Sequence, residues 1–311
     1  MGFPSLYKDA VYSYQLSKER DSLLRNHLLL SFRLQTRRFW TATLHIDMAN
    51  NTVSLMVYLQ HALPAIPINP PPHPGRNTTN TADEADDISG IAVWHGFNLQ
   101  TIIHRYGNIL GQTHLPPDPM PTSPPRAITA GNALRSKIYE YVFPRVRRGL
   151  RAAFNTLTAT NQMNGLTSVS IDVGEAAKII ENYKPDTAYF ALALPAGTSW
   201  NRAPGDIKPS WKWSTALANH PMDTYRAEFR QALSQVNWYM RQHHSRYGFI
   251  LTNQELVVIR RLDNHGNLEL APPIPFTAGG TVAQPRMTVL LALWYLGMLA
   301  AQDQGVDRWD M

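Results

Sequence analysis

Three ionisable side chains in the stretch from Lys184 to Lys208 have the chemistry of a metal-dependent hydrolytic site. Asp186 follows a proline near the start of this stretch, and Asp206 and Lys208 flank a single residue at its end. Because side chains of a strand alternate between its faces, Asp206 and Lys208 would share one face, with Ile207 turned into the core behind them. Carboxylate oxygens are preferred ligands of Mg²⁺ and Mn²⁺, and a lysine beside the metal can orient a water or offset charge on a phosphate.

Predicted strands place these side chains next to one another. Residues 187–194 are almost entirely apolar, as in a strand buried on both faces, so Asp186 stands at the start of that strand. Residues 203–213 carry Asp206 and Lys208, and prolines on both sides limit this second strand to a short segment. If the two strands are neighbours, the two carboxylates and the lysine converge.

Helices are predicted on both sides of these strands in the sequence. Residues 132–157 have apolar side chains at helical spacing, and Pro144 should kink or divide that helix. Residues 223–243 form a second helix, with Gln235 at the edge of its apolar stripe and Gln231 one turn earlier on the more polar side. A glutamine at the rim of a buried face needs a hydrogen-bond partner, which a site carboxylate or a bound water would supply. Of the two, Gln235 is the preferred candidate.

The order helix, strand, strand with Pro-Asp, strand with Asp-x-Lys, helix, strand resembles the core of the PD-(D/E)XK nuclease superfamily. The resemblance implies that Asp186 and Asp206 bind the metal, Mg²⁺ or Mn²⁺, and that Lys208 assists the attacking water. It also implies that Gln235 joins the site. In this family the first core helix often contributes an acidic residue, and Glu140 is the candidate here.

The resemblance covers residues 134–261 and implies an α/β (α+β) fold with a restriction-endonuclease-like core, in which helices flank a mixed sheet. The expected function is metal-dependent hydrolysis of phosphodiester bonds in DNA or RNA. The alternative is a catalytically inactive nuclease-fold module that binds nucleic acid or protein. A third possibility is an unrelated α/β protein in which Asp206 and Lys208 simply pair on the surface. Residues 204–301 also resemble a nuclease-like family of filamentous fungi that has no established activity.

The net charge of +6 and a pI of about 9.5 favour an anionic partner, of which nucleic acid is the commonest. A basic cluster on the first predicted helix could meet phosphates, or could equally be a solvated helix face. Aromatic and basic residues after the second predicted site strand could stack on bases, or could pack the sheet against a helix. The candidate nucleic-acid-binding residues are Arg145, Arg147, Arg148, Arg151, Trp211, Lys212 and Trp213.

Two proline-rich stretches divide the chain into four predicted parts. The first contains a helix over residues 17–30 and a hairpin of strands 37–47 and 52–60. The acidic residues at the end of the first proline-rich stretch are predicted to be solvated linker charge. The four parts are residues 1–63, an N-terminal helix plus hairpin; 64–90, a disordered linker; 91–125, a short segment with a proline-rich connector; and 126–311, the nuclease-like domain.

Several other classes of protein are disfavoured by the sequence. It contains no cysteine, which excludes disulfides and cysteine-based zinc sites and fits a reducing compartment. There is no phosphate-binding GxxxxGK[ST], no GxGxxG before a helix, no HExxH and no GxSxG. The N-terminus lacks the pattern of a signal peptide, and the apolar run 289–301 is too short to span a bilayer. An intracellular location, cytoplasmic or nuclear, without membrane association is therefore expected.

Overall fold

The computed structural model describes residues 51–72, 77, 84–121 and 126–311. Residues Asn51–Met311 form one compact unit, so the predicted boundaries after residues 90 and 125 lie inside a single folded body. The predicted helix 17–30 and the predicted strand 37–47 lie outside the described residues.

The described residues form a mixed sheet flanked by helices, which confirms the predicted mixed α/β class. The strands of this eight-stranded sheet are β2 (Gly90–Val93), β4 (Val169–Val173), β5 (Thr187–Ala191), β6 (Gly205–Ile207), β7 (Tyr247–Leu251), β8 (Glu255–Arg261), β9 (Asn267–Leu270) and β10 (Ile274–Pro275). Their order is β2-β9-β8-β7-β6-β5-β4, and β10 pairs with β8. The pairs β2–β9 and β6–β7 are parallel, whereas β4–β5, β5–β6, β7–β8, β8–β9 and β8–β10 are antiparallel. Two further short strands, β1 (Val53–Ser54) and β3 (His114–Leu115), form a separate two-stranded sheet.

The predicted helix at residues 132–157 is divided near Pro144, as expected. One helix ends at Tyr141, and the next begins at Phe143 with the proline in its first turn, where the missing N–H costs nothing. No described helix is long and apolar enough to cross a lipid bilayer. The α-helices are α1 (Leu55–Leu59), α2 (Leu99–Gln112), α3 (Gly131–Tyr141), α4 (Phe143–Ala159), α5 (Asp223–Gln242) and α6 (Val289–Ala300).

Helices cover both faces of the sheet and thereby fix its central strands. The apolar stripe of α5 packs against the face that presents Ile250 and Val257. On the opposite face, the hydroxyl of Tyr189 in β5 donates a hydrogen bond to the carbonyl of Leu293 in α6 at 2.7 Å. Every residue of α6 is buried, which fits its uniformly apolar sequence. The short strand β6 is therefore held in the middle of a rigid layered core.

Two predictions about the first half of the described chain are wrong. The predicted strand 52–60 is mostly the helix α1, because Ser54 caps it by accepting a hydrogen bond from the Val57 N–H and its apolar residues are buried. The predicted linker 64–90 ends in folded structure: a 3₁₀ helix at Ala85–Asp87 leads into β2, and Ile88 is only 1% exposed. Ile88 belongs to the core beneath α5, and its burial ties this segment to the sheet.

Gly205 at the start of β6 has no room for a side chain. Replacing it therefore tests how closely β6 packs against its neighbours. A β-carbon at Gly205 would lie 2.3 Å from the Phe249 ring and 2.5 Å from Thr187 Oγ1. We expect Gly205→Ala to lower the free energy of unfolding by about 1–3 kcal/mol through overpacking, measured by urea denaturation. The control is Gly111→Ala in α2, where a β-carbon meets nothing within 4 Å. That change should stabilise the helix by about 0.5–1 kcal/mol, and equal effects at the two glycines would contradict the prediction.

Candidate active site

The structure brings Asp186, Asp206, Lys208 and Gln235 together, as the sequence predicted. Lys208 Nζ lies 2.8 Å from Asp206 Oδ2 and donates a hydrogen bond to Gln235 Oε1 at 2.9 Å. The backbone N–H of Ile207 donates to Asp186 Oδ2 at 2.9 Å, which connects the start of β5 to β6. The group is deeply placed, since Asp206 is 4% and Lys208 8% exposed.

The local backbone explains why these side chains meet. Asp206 is in register with Ile250 of the parallel strand β7. Ile250 faces α5, so Asp206 and, two residues later, Lys208 also face α5 and reach Gln235. Thr187 pairs with Gly205 across β5 and β6, which puts Asp186 level with the start of the Asp-Ile-Lys segment.

The two carboxyl groups are electrostatically unequal. Burial, the negative charge of Asp206 and a hydrogen bond between the two side chains raise the pKa of Asp186 to about 7 from 3.8. Burial also acts to raise the pKa of Asp206, but the charge of Lys208 and hydrogen bonds from Asp186 and Lys208 hold it below its ordinary value. A proton shared by the pair therefore resides on Asp186 rather than on Asp206. A carboxyl with a raised pKa that lies beside an ionised carboxylate in a cavity is a feature of many functional sites.

Two residues of α3 that the sequence analysis did not select complete the group. Arg135 Nε lies 2.9 Å from Asp186 Oδ1, and the Tyr139 hydroxyl donates a hydrogen bond to the Asp186 carbonyl at 2.8 Å. They are one turn apart, next to the buried Leu134 and Ile138, so they follow the edge of the apolar face of the helix. This position, the same as that of Gln235 on α5, was the available signal in the sequence.

These side chains surround a polar cavity of about 200 Å³. Asn77 lies at its wall, where its backbone N–H donates to Glu228 Oε2 at 2.9 Å and its side-chain amide donates to the carbonyl of Lys212 at 3.3 Å. Four basic side chains and two carboxylates contribute to the lining, which favours an anionic ligand. The lining residues are Asn77, Gly131, Arg135, Lys184, Asp186, Asp206, Ile207, Lys208, Pro209, Lys212, Gln235 and Tyr239.

A larger cavity of about 770 Å³ lies between β2, β9 and the first half of α5. It shares no lining residue with the smaller cavity. The smaller cavity is the better candidate for an active site because it contains the buried carboxyl pair, a lysine and the perturbed pKa of Asp186.

Glu140 does not join the site, contrary to the expectation from the resemblance. It is exposed and forms an ion pair with Lys137 of the same helix at 2.7 Å. Along α3, Glu140 lies just beyond Tyr139, whose side chain points to the site, and neighbouring helical positions project about 100° apart. Arg135, rather than an acidic residue, is the charged group that α3 places against Asp186.

Most of the predicted basic cluster is held by other parts of the protein. Arg145 is 6% exposed and donates to the carbonyls of Tyr141 and Pro119, so its prediction as a nucleic-acid contact is wrong. Arg147 pairs with Asp172 at 2.6 Å, and Arg148 lies 3.3 Å from Asp118. Arg151 is exposed on α4. None of these four arginines lines the polar cavity.

The predicted nucleic-acid contacts after β6 also include one residue that is buried, Trp213, and two that are not. Trp213 is fully buried, stacks on Phe229 with ring centroids 5.7 Å apart, and donates its Nε1–H to the Phe229 carbonyl at 3.2 Å. It therefore packs α5 against the sheet and cannot stack on a base in this conformation. Trp211 is half-buried, and Lys212 lines the cavity.

The donor set fits a partly hydrated Mg²⁺ or Mn²⁺ ion. Within the part of the chain that the structure describes, no three His, Cys, Asp or Glu side chains are grouped as a ready-made metal cage. Mg²⁺ does not require such a cage, because it usually keeps several waters and binds through one or two carboxylates plus substrate phosphate. Asp186 and Asp206 supply those two carboxylates, and a bound cation would replace the proton they share.

Comparisons with known proteins add no assignment. No family model, curated protein or solved structure matches this chain. The functional argument accordingly starts from the side chains of the cavity and their chemistry.

The raised pKa of Asp186 predicts a specific pH dependence of stability. The folded state holds a proton on Asp186 that the unfolded chain loses near pH 3.8, so this stabilising contribution is complete below that pH and is lost as the pH rises through about 7. In metal-free buffer, raising the pH from about 6.5 to about 8 should lower the free energy of unfolding more in the wild type than in Asp186→Asn.

Urea denaturation of both proteins across that range measures the difference. Burial lowers the pKa of His243 to about 4 from 6.5, so its opposite effect on stability occurs below this pH window and cancels in the comparison. Parallel curves for the two proteins would contradict the prediction.

Proposed function

We propose that this protein is a metal-dependent nuclease that hydrolyses phosphodiester bonds of DNA or RNA. The observation that carries the proposal is the convergence of Asp186, Asp206, Lys208 and Gln235 in one polar cavity. An arrangement in which two carboxylates face a lysine suits attack of water on a phosphate, and it supports a restriction-endonuclease-like core. The succession of α3–α4, β4, β5, β6, α5 and β7 along the chain supports the same core.

The residues have separate roles in this proposal. Asp186 and Asp206 would hold Mg²⁺ or Mn²⁺. When bound, such an ion polarises a phosphoryl oxygen and lowers the pKa of a coordinated water. Lys208 orients the attacking water and offsets negative charge that develops on the phosphate. Gln235 fixes the lysine by accepting its hydrogen bond, and Gln235 itself donates to the Tyr239 hydroxyl at 3.2 Å.

The surroundings of the cavity favour a nucleic acid as the substrate. Lys184 and Lys212 border the carboxylates and provide cations for the phosphates on either side of the scissile bond. A cavity of about 200 Å³ has room for one phosphate with its nearest atoms, so the rest of the strand must lie outside it.

The proposal is tested by incubating labelled single- and double-stranded DNA and RNA with the wild type in Mg²⁺, Mn²⁺ or EDTA. Calorimetric titration with Mn²⁺ is run on the same preparation. The comparison variant is Asp206→Asn, which preserves the shape of the side chain and removes its charge. We expect cleavage with either metal, none in EDTA, and loss of both Mn²⁺ binding and cleavage in Asp206→Asn. Cleavage that persists in EDTA or in the folded variant would overturn the proposal.

The alternative is a nuclease-fold module that binds nucleic acid without cutting it. The observation in its favour is that Lys208 is engaged by both Asp206 and Gln235. An inactive module would bind the labelled oligonucleotides and cut none of them with either metal. Loss of Mn²⁺ binding in Asp206→Asn would then mark a site kept for binding.

A further inference from the structure

The guanidinium of Arg135 is, after Lys208, the second basic group paired with a carboxylate of the polar cavity, and its position indicates a role in binding substrate. It pairs with Asp186 at 2.9 Å, whereas Lys208 pairs with Asp206 at 2.8 Å. Each carboxylate of the pair therefore has its own basic partner, one from α3 and one directly after β6. We propose that Arg135 binds the scissile phosphate, an inference that rests on the nuclease function proposed above.

The contacts of Arg135 orient it and still leave part of it available. Its Nε faces Asp186, and its Nη1 donates to Asn132 Oδ1 at 2.9 Å, one turn earlier in α3. A guanidinium has five N–H donors, and the contacts to described residues use only those on two of its three nitrogens. The side chain is 41% exposed and lines the cavity, so its remaining donors can reach a ligand there.

A comparison with Arg145 of α4 shows what distinguishes this arginine. Arg145 is 6% exposed, and its guanidinium is bound by backbone carbonyls and by Asp118. These contacts hold the segment at Asp118 and Pro119 in place, and burial keeps the guanidinium of Arg145 away from a ligand. Arg135 combines a fixed orientation with exposed donors beside the reacting groups, as a phosphate-binding arginine requires.

Charge explains why a second cation is useful at this position. Nucleophilic attack places additional negative charge on the oxygens of the transferred phosphoryl group. Lys208 is bound by Asp206 and Gln235, so its charge is already partly engaged. A planar guanidinium binds two phosphate oxygens through parallel N–H donors, a geometry that the point charge of a lysine does not provide.

The variants Arg135→Gln and Arg135→Lys test this role, with Arg308→Gln as the matched control. Arg308 is exposed and lies 3.5 Å from Asp310, away from the cavity. The assays are metal-dependent cleavage as a function of pH, and binding of a labelled oligonucleotide in EDTA by fluorescence anisotropy. We expect Arg135→Gln to lower kcat/KM by about 10²–10³-fold and to weaken oligonucleotide binding, with a partial rescue by Arg135→Lys. The control should match the wild type.

A purely structural role for Arg135 gives a different result. An arginine that only holds Asp186 in place would not touch the substrate, so its loss would leave substrate binding unchanged. Slower cleavage by Arg135→Gln with an unchanged KM and unchanged oligonucleotide binding would therefore overturn the inference. If the wild type itself does not cut, the nuclease proposal fails. If the wild type cuts and Arg135→Gln cuts equally well, only this inference fails.

Discussion

Replacing Lys208 by methionine is expected to slow metal-dependent cleavage by about 10²–10⁴-fold while leaving divalent-metal binding in place. Methionine keeps the unbranched shape of the side chain and removes the charge that Lys208 places 2.8 Å from Asp206. Asp206 then loses a competing cation, so its affinity for a metal ion should be equal or higher. Cleavage would slow because the role proposed for Lys208, which is to orient the attacking water and offset charge on the phosphate, requires its ammonium group.

The measurement pairs single-turnover cleavage with calorimetric titration of Mn²⁺, and circular dichroism checks that the variant is folded. Lys178→Met is the matched control, because Lys178 is exposed and lies over the Trp200 ring at 4.8 Å, away from the cavity. Lys208→Arg retains the positive charge, but the larger planar guanidinium cannot reproduce the contacts of the lysine with Asp206 and Gln235, so this variant should recover little activity. Full activity in Lys208→Met would show that the lysine only neutralises Asp206.

Replacing Trp213 by alanine is expected to lower the free energy of unfolding by about 3–5 kcal/mol. The side chain is 0% exposed, and its removal leaves a cavity beneath α5 and deprives the Phe229 carbonyl of its hydrogen bond. Phe229 also loses the ring on which it stacks at an interplanar angle of 8°. Urea denaturation measures the change, and Trp213→Phe should retain much of the stability because it keeps a stacked ring.

The matched control is Trp211→Ala, two residues earlier and half-buried, where a smaller loss of stability is expected. The pair of tryptophans also separates packing from recognition. If Trp213 instead stacked directly on bases, Trp213→Ala would keep its stability and bind labelled oligonucleotide more weakly. That outcome would contradict the burial of Trp213 beneath α5.

Local patterns in the sequence determined most of the fold from residue 131 onward. The helices predicted at residues 132–157 and 223–243 correspond to α3 with α4 and to α5, and the strand predicted at residues 187–194 begins where β5 begins. Each has a long periodic pattern or a continuous apolar run. The short β6 also followed from its flanking prolines, since a residue without an N–H cannot continue a central strand.

Other elements depended on contacts that local sequence does not contain. The composition of α1 predicts a strand, but the segment is a helix whose apolar side chains are buried. β2 follows a proline-rich stretch and was not predicted as a strand. It is a strand because it pairs with β9, which lies far along the chain. Trp213 and Arg145 have side chains typical of nucleic-acid contacts, and only burial in the folded chain assigned them to packing.

The sequence by itself determined the acidic pair, its lysine and the helix glutamine, because strand alternation and the apolar stripe of α5 place them on facing surfaces. The tertiary structure decided the rest of the site. It put Arg135 beside Asp186 and left Glu140 outside, a choice set by the rotation of α3 against the sheet. That rotation depends on which side of α3 packs against distant residues, and periodicity within one helix cannot specify the partner it meets.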